Sequence, residues 1–171
     1  MNKTLIASVV AIATFAGVGT ASAAVMATSN VTLQTTITAA SSTTVTATPA
    51  AENVSMDDIQ KAGTKVASLT IDASGIVNGA TGTNVQVVAD SSYYDASRHT
   101  WLMKSGSNEI QIVPEAGGST GWSYNGANAT KRIDTDTSVS GLNLNFMTKE
   151  GNNSPVAGNY TLPLTINVNA W

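Results

Sequence analysis

The chain has no cysteine, a single histidine and few charges, with Asp, Glu, Lys and Arg making up 11% of 171 residues. Without cysteine no disulfide can brace the fold, so packing and backbone pairing must do it alone. With His99 as the only imidazole and no thiolate, the usual ligand sets of structural or catalytic zinc cannot be assembled. The scarce charges form no long block of either sign. No basic stripe is present to follow a nucleic-acid backbone, so nucleic acid is excluded as a partner class. Aromatic residues reach only 5%, and four prolines are scattered along the chain. Thr, Ser, Ala, Asn and Gly fill the sequence instead. The β-branched share of that set favours extended chain over helix.

Long hydrophobic runs are also missing, except at the start. Lys3 precedes the apolar "LIASVVAIATFAGV" (5–18), and "TASA" (20–23) places small residues at Ala21 and Ala23. This three-part layout is that of a secretory signal peptide cleaved after Ala23. The apolar stretch is shorter than the ~20 residues a spanning helix needs; a retained anchor is the alternative. Removing Lys3 takes the eight basic residues to seven against eleven acidic ones, so the exported chain carries a net charge of −4.

Alternating apolar and polar positions, the mark of a strand with one buried face, recur through the rest. They occur in "NVTLQTTIT" (30–38), "TTVTAT" (43–48), "KVASLTI" (65–71), "NVQVVA" (84–89), "HTWLM" (99–103), "EIQIV" (109–113), "GLNLNFM" (141–147) and "NYTLPLTINVNAW" (159–171). Turn-rich pieces separate them, which predicts an all-β sandwich or barrel in one domain. The one helical piece is "SMDDIQKAG", with Ser55 as N-cap, Asp57 and Asp58 in the first turn and Gly63 as the stop. In the last strand Tyr160, Leu162, Leu164, Ile166 and Val168 share one face. Pro163 has no N–H for a ladder, so that strand should be open on one edge near it.

Catalytic patterns are weak. His99 with Asp95 and Ser97 nearby is no nucleophile elbow. Asp134, Asp136 and Ser138 alternate as in a calcium loop, but the twelfth position is Asn145, not a bidentate Glu, and an ordinary polar turn is the simpler reading. Glu109 and Glu115 could form an acid–base pair only if the fold brought them together. The sequence reads as a non-enzyme with no metal and no cofactor. Tyr93, Tyr94, Trp101, Trp122 and Tyr124 could form a sugar- or receptor-binding platform, or Trp101 and Trp122 could be the core of a sandwich of small side chains. Trp101 is expected in the core, where burying a large ring contributes much. Tyr93 and Tyr94, in "SSYYDASRH", are candidates for contact with a receptor.

A short alternating strand behind an export signal, a Cys-free β-rich body and a long alternating last strand resemble a pilin of the chaperone–usher pathway. The nearer resemblance is to the Saf-type and capsular-antigen-type branch, served by chaperones with a long F1–G1 loop. It is carried by "NVTLQTTITAASSTTVTATP", "TKVASLTIDASG" and "GLNLNFMTKEGNNSPVAGNYTLPLTINVNAW". It implies an incomplete immunoglobulin-like β-sandwich at residues 43–171, completed by donor-strand exchange. Residues 24–42 would be the donor strand and its joint. By that match the donor residues are Val31, Leu33, Thr35, Ile37 and Ala39, and the acceptor groove is formed by Val45, Ala47, Tyr160, Leu162, Leu164, Ile166 and Val168. The implied partners are identical subunits, a periplasmic chaperone, an outer-membrane usher and a host-cell receptor. The implied location is a fimbrium at the cell surface, reached through the periplasm. Burying three large aliphatic donor side chains would contribute roughly 5–9 kcal/mol per joint. The alternative is an exported binding module, either a tip adhesin or a sugar-binding β-sandwich that keeps the strand for itself.

Overall fold

The computed structural model describes residues 31–33, 43–76, 82–133 and 138–170. The signal segment, Thr35, Ile37, Ala39, the joint at 39–42 and the Asp134–Asp136 pair lie outside the described residues. Eleven strands are present among them: β1 (Val31–Leu33), β2 (Thr44–Ala51), β3 (Lys65–Ser74), β4 (Thr83–Ala89), β5 (Tyr94–Asp95), β6 (Thr100–Ser105), β7 (Asn108–Pro114), β8 (Trp122–Asn125), β9 (Asn128–Ile133), β10 (Ser138–Thr148) and β11 (Leu164–Ala170). They form two sheets, ordered β2-β3-β10-β7-β6-β5 and β1-β11-β4-β9-β8. The fold is an all-β sandwich.

Alternation becomes packing at once. From β3, Leu69, Ile71 and Ala73 point inward; Val85, Val87 and Ala89 of β4 meet them from the other sheet, with Ile110, Ile112, Leu144 and Phe146 filling the centre. The one-turn helix α1 (Met56–Ile59) starts where Ser55 caps it, its Oγ accepting the Asp58 N–H at 3.1 Å. Its role is to drop the fully buried Ile59 onto the core. Gly63 then reverses the chain with φ +83, a conformation cheap only without a Cβ.

Two tryptophans tie the sheets together. Trp101 of β6 is fully buried, packs 5.9 Å from the Phe146 ring, and donates its indole N–H to the Gly126 carbonyl at 2.9 Å. Gly126 lies in the β8–β9 turn of the opposite sheet. Trp122 of β8 reaches the other way, donating to the Asn143 carbonyl of β10 at 2.8 Å. β7 pairs with β10 only from Phe146 to Thr148, so this indole satisfies backbone that β7 leaves free.

The structure departs from expectation in two places. "WSYNGANATKRI" is a hairpin, β8–β9, turning over Gly126 at φ +61; its Asn-Gly pair is a strong hairpin signal. The last strand is not continuous. Thr161 bridges to Lys104 of β6, with reciprocal N–H to C=O bonds of 2.8 and 2.9 Å, whereas Leu164 onward pairs with β4 in the other sheet. The chain changes sheets at Pro163, which has no N–H to continue a ladder.

Trp101→Phe should lower unfolding free energy in urea by roughly 1–3 kcal/mol, through the lost inter-sheet hydrogen bond and incomplete refilling of its space. An unchanged midpoint would remove Trp101 from its bracing role.

Candidate functional site

β11 (Leu164–Ala170) is the strand expected to wall the groove. Its alternation buries Leu164 and Ile166 and leaves Val168 half-buried, while Thr165, Asn167 and Asn169 turn to the other face. One edge of β11 is paired along its length with β4, from Leu164 opposite Ala89 to Ala170 opposite Thr83. The other edge meets β1 in parallel: Val31 opposite Leu164, Thr32 opposite Thr165, Leu33 opposite Ile166. β1 is therefore the outermost strand of its sheet, and β2 is the outermost strand of the other. The two stand on the same side of the sandwich, with β11 also close to β2.

The residues expected to wall the groove are distributed as follows in the sandwich. Val45 of β2 is buried, Ala47 half-buried, and both belong to the same apolar cluster as Leu164, Ile166 and Val168. Tyr160 and Leu162 are also fully buried in that cluster, but they precede the sheet change at Pro163. The Tyr160 hydroxyl donates to the Val156 carbonyl at 2.8 Å. Of the donor residues, Val31 and Leu33 are placed by backbone register alone.

The aromatic loop is built for its own rigidity. Asp90 caps a 3-10 turn over Ser91–Tyr93, its Oδ1 accepting the Ser92 N–H at 2.9 Å and the Ser92 hydroxyl at 2.6 Å. Tyr93 lies under Lys104, whose Nζ is 5.2 Å from the ring centroid. The Tyr94 hydroxyl is 3.3 Å from His99 Nδ1, and the Tyr124 hydroxyl donates to the His99 carbonyl at 2.9 Å. His99 itself has φ +50, the one described non-glycine residue in the left-handed region, and its neighbours hold it there. Tyr93 and Tyr94 are half-buried against the core.

No catalytic arrangement forms from the candidates. The Ser97 hydroxyl bonds Asp95 at 2.6 Å, and this bond holds the Asp95 carboxyl below its usual range. The His99 ring meets the Tyr94 hydroxyl rather than either of these residues. Glu109 pairs with Lys104 at 2.9 Å. Glu115, beyond the other end of β7, accepts from Asn145 Nδ2 at 2.7 Å. Six residues of extended chain separate those carboxylates by roughly 20 Å. Of the would-be calcium loop, Ser138 opens β10, and the register slips between Val139 and Leu142. Asp72 holds that bulge through the Ser140 hydroxyl at 2.7 Å and the Gly141 N–H at 2.8 Å. A polar cleft of about 210 Å³ opens between β7 and residues 151–155. Its Asn152 is already used by the Gln111 backbone, accepting its N–H at 2.7 Å and donating to its carbonyl at 2.9 Å.

No family model matches the sequence, and no curated protein matches it. Solved structures do. The DaaE adhesin is 17% identical, with a TM-score of 0.51 over 78% of this chain and 98% of that one. The DraE adhesin, solved in complex with chloramphenicol succinate, is 14% identical, with a TM-score of 0.51 over 77% and 96%. HdaB, the minor tip subunit of the E. coli Hda pilus, is 16% identical, with a TM-score of 0.46 over 73% and 79%. At such identities the likeness to DaaE and DraE is one of fold, an immunoglobulin-like β-sandwich.

Burial, with the nearby Tyr94 second, pushes the Tyr124 hydroxyl up to about 12. Its folded value stands above the usual ~10, so the stability it confers is full below pH 10 and is lost as pH rises toward 12. Tyrosinate absorbance should show a component titrating near 12 that Tyr124→Phe removes. A titration curve unchanged by that substitution would refute the assignment.

Proposed function

We propose that this chain is a structural, non-enzymatic subunit of a surface fibre, a fimbrium of the chaperone–usher kind. The donor strand in residues 24–42 fills the groove beside β11 of a neighbouring identical subunit. A periplasmic chaperone holds that groove before assembly, an outer-membrane usher directs the exchange, and the finished fibre contacts a host-cell receptor. The chain's cysteine-free make-up supports the Saf-type and capsular-antigen-type branch. The observation that carries the reading is the neighbour of β11. That edge is covered by a strand from ahead of the body, where an ordinary sandwich would use a strand of its own. The fold shared with the DaaE and DraE adhesins supports it further, as do carboxylates engaged singly at the two ends of β7.

One observation favours a second reading. β1 lies on its own body, as it would in a self-contained exported binding module. Polymerisation separates the two. A carboxylate forced into an apolar groove costs several kcal/mol unless it takes up a proton, and each 1.4 kcal/mol is a factor of ten. Ile37→Asp, in the extension, and Leu164→Asp, in β11, should each cut fibre yield by roughly tenfold or more. Normal yield from Ile37→Asp, which leaves the body intact, would favour the binding module.

A further inference from the structure

On the outer side of the six-stranded sheet, β6 and β7 set Leu102 opposite Gln111 and Lys104 opposite Glu109. Trp101 and Met103, the neighbours of Leu102, belong to the core, so alternation turns Leu102 outward. It is nevertheless only 7% exposed. The segment after β10 lies beside it, fastened by main-chain partners. The Lys149 N–H donates to the Gln111 carbonyl at 3.0 Å, and the buried Asn152 amide holds both the N–H and the carbonyl of Gln111. The Lys149 ammonium donates to the Arg98 carbonyl, which ties the same segment to the 95–99 corner. Gly151, at φ +103, lets the chain pass close to Gln111; a Cβ there would stand 3.0 Å from the Gln111 Nε2. The space left is the cleft of about 210 Å³, with Leu102 at its floor and Arg98, Glu109, Gln111, Asn153 and Ser154 around it.

The lining carries both signs of charge. The Arg98 Nε lies 3.5 Å from an Asp95 carboxylate oxygen, and the Glu109 carboxylate pairs with the Lys104 ammonium at 2.9 Å. A guanidinium and a carboxylate on one small space give an anion or a cation one attraction and one repulsion, so neither is favoured. A hydroxyl both donates and accepts. Neighbouring hydroxyls on one ring can donate to Glu109, accept from Arg98, and meet the Gln111 and Asn153 amides in either role. A few convergent polar groups over an apolar floor are the usual make-up of a small-molecule site. We propose that the cleft binds one neutral monosaccharide unit of a glycan. It is smaller than the ~300 Å³ at which drug-sized sites begin, so it takes a single sugar ring. Among the described residues no aromatic ring lines it for stacking, which puts the affinity of one site on the order of millimolar. Repeated copies along a fibre then supply avidity. As the receptor contact the site rests on the fibre reading; as a sugar site it stands alone, since β6 and β7 lie in the sheet that does not contain β11.

Saturation-transfer NMR on the full exported chain tests this, because it reads the ligand's signals and works on monomers and fibres alike. The probes are the methyl glycosides of galactose, glucose, mannose and N-acetylglucosamine, at up to about 50 mM so that millimolar binding is seen. At least one should receive saturation from the wild-type chain. Arg98→Ala and Gln111→Ala should each weaken its binding roughly tenfold, with melting temperatures close to wild type. Glu109→Gln keeps the side-chain volume and removes the charged acceptor, so it should also weaken binding and serves if an alanine variant unfolds. No transfer to any of these sugars, undiminished binding by the folded variants, or a preference for N-acetylneuraminic acid over the neutral sugars overturns the proposal. A chain that polymerises without binding sugar leaves the fibre reading standing. One that binds sugar at this cleft and never forms fibres keeps the site and removes the fibre reading.

Discussion

A strand has two hydrogen-bonding edges, and backbone N–H and C=O groups shut away from water must find partners. β11 has one lasting neighbour in the body, β4, matched to it residue by residue from Leu164 to Ala170. Its other edge, beside the buried Leu164 and Ile166, must be covered by something. Left bare, a strand with an apolar row on one face is an aggregation site. In this structure the cover is a short segment from ahead of the body, and the account of function follows from that arrangement. Under the proposed function, it is this segment that would join copies in series.

The rest of the molecule makes such an edge tolerable. With no disulfide available, rigidity comes from the core of β3, β4, β7 and β10, and from two indoles that bond across the sheets in opposite directions. Pro163 contributes by what it lacks. The chain must leave β6 there, and the change of sheet delivers Leu164 to the start of β11 facing the core. Its free carbonyl still accepts the Asp90 N–H at 3.3 Å, which links the sheet change to the base of the tyrosine loop. Braced at His99 and Asp90, that loop gives the sandwich a stiff corner.

Much of this was legible in the sequence because alternation is a local signal. β3, β4, β7 and β10 lie within a few residues of the expected stretches, and Ser55, Asp58 and Gly63 do at α1 what their types suggest. Burial of Trp101 followed from the scarcity of other large side chains. What was hidden depends on partners distant in sequence. The face pattern of Tyr160, Leu162 and Leu164 runs unbroken through Pro163, since a strand that changes sheets can keep the same side chains inward. That pattern therefore concealed the switch. The β8–β9 hairpin was readable from Asn125-Gly126 but lies where the alternation is short and diluted by polar residues. The parallel sense of β1 was not legible at all, because direction is set by how the chain closes on itself and not by which positions are apolar.

The central claim is that residues 43–171 form a sandwich one strand short. Refolding a chain that begins at Ser41, with and without a peptide of residues 28–40, tests it most directly through the melting temperature and the oligomeric state. The account predicts a truncated chain that is unstable or aggregated alone, and a monomeric complex whose melting temperature rises sharply with the peptide. A truncated chain that folds to a stable monomer and ignores the peptide would contradict it.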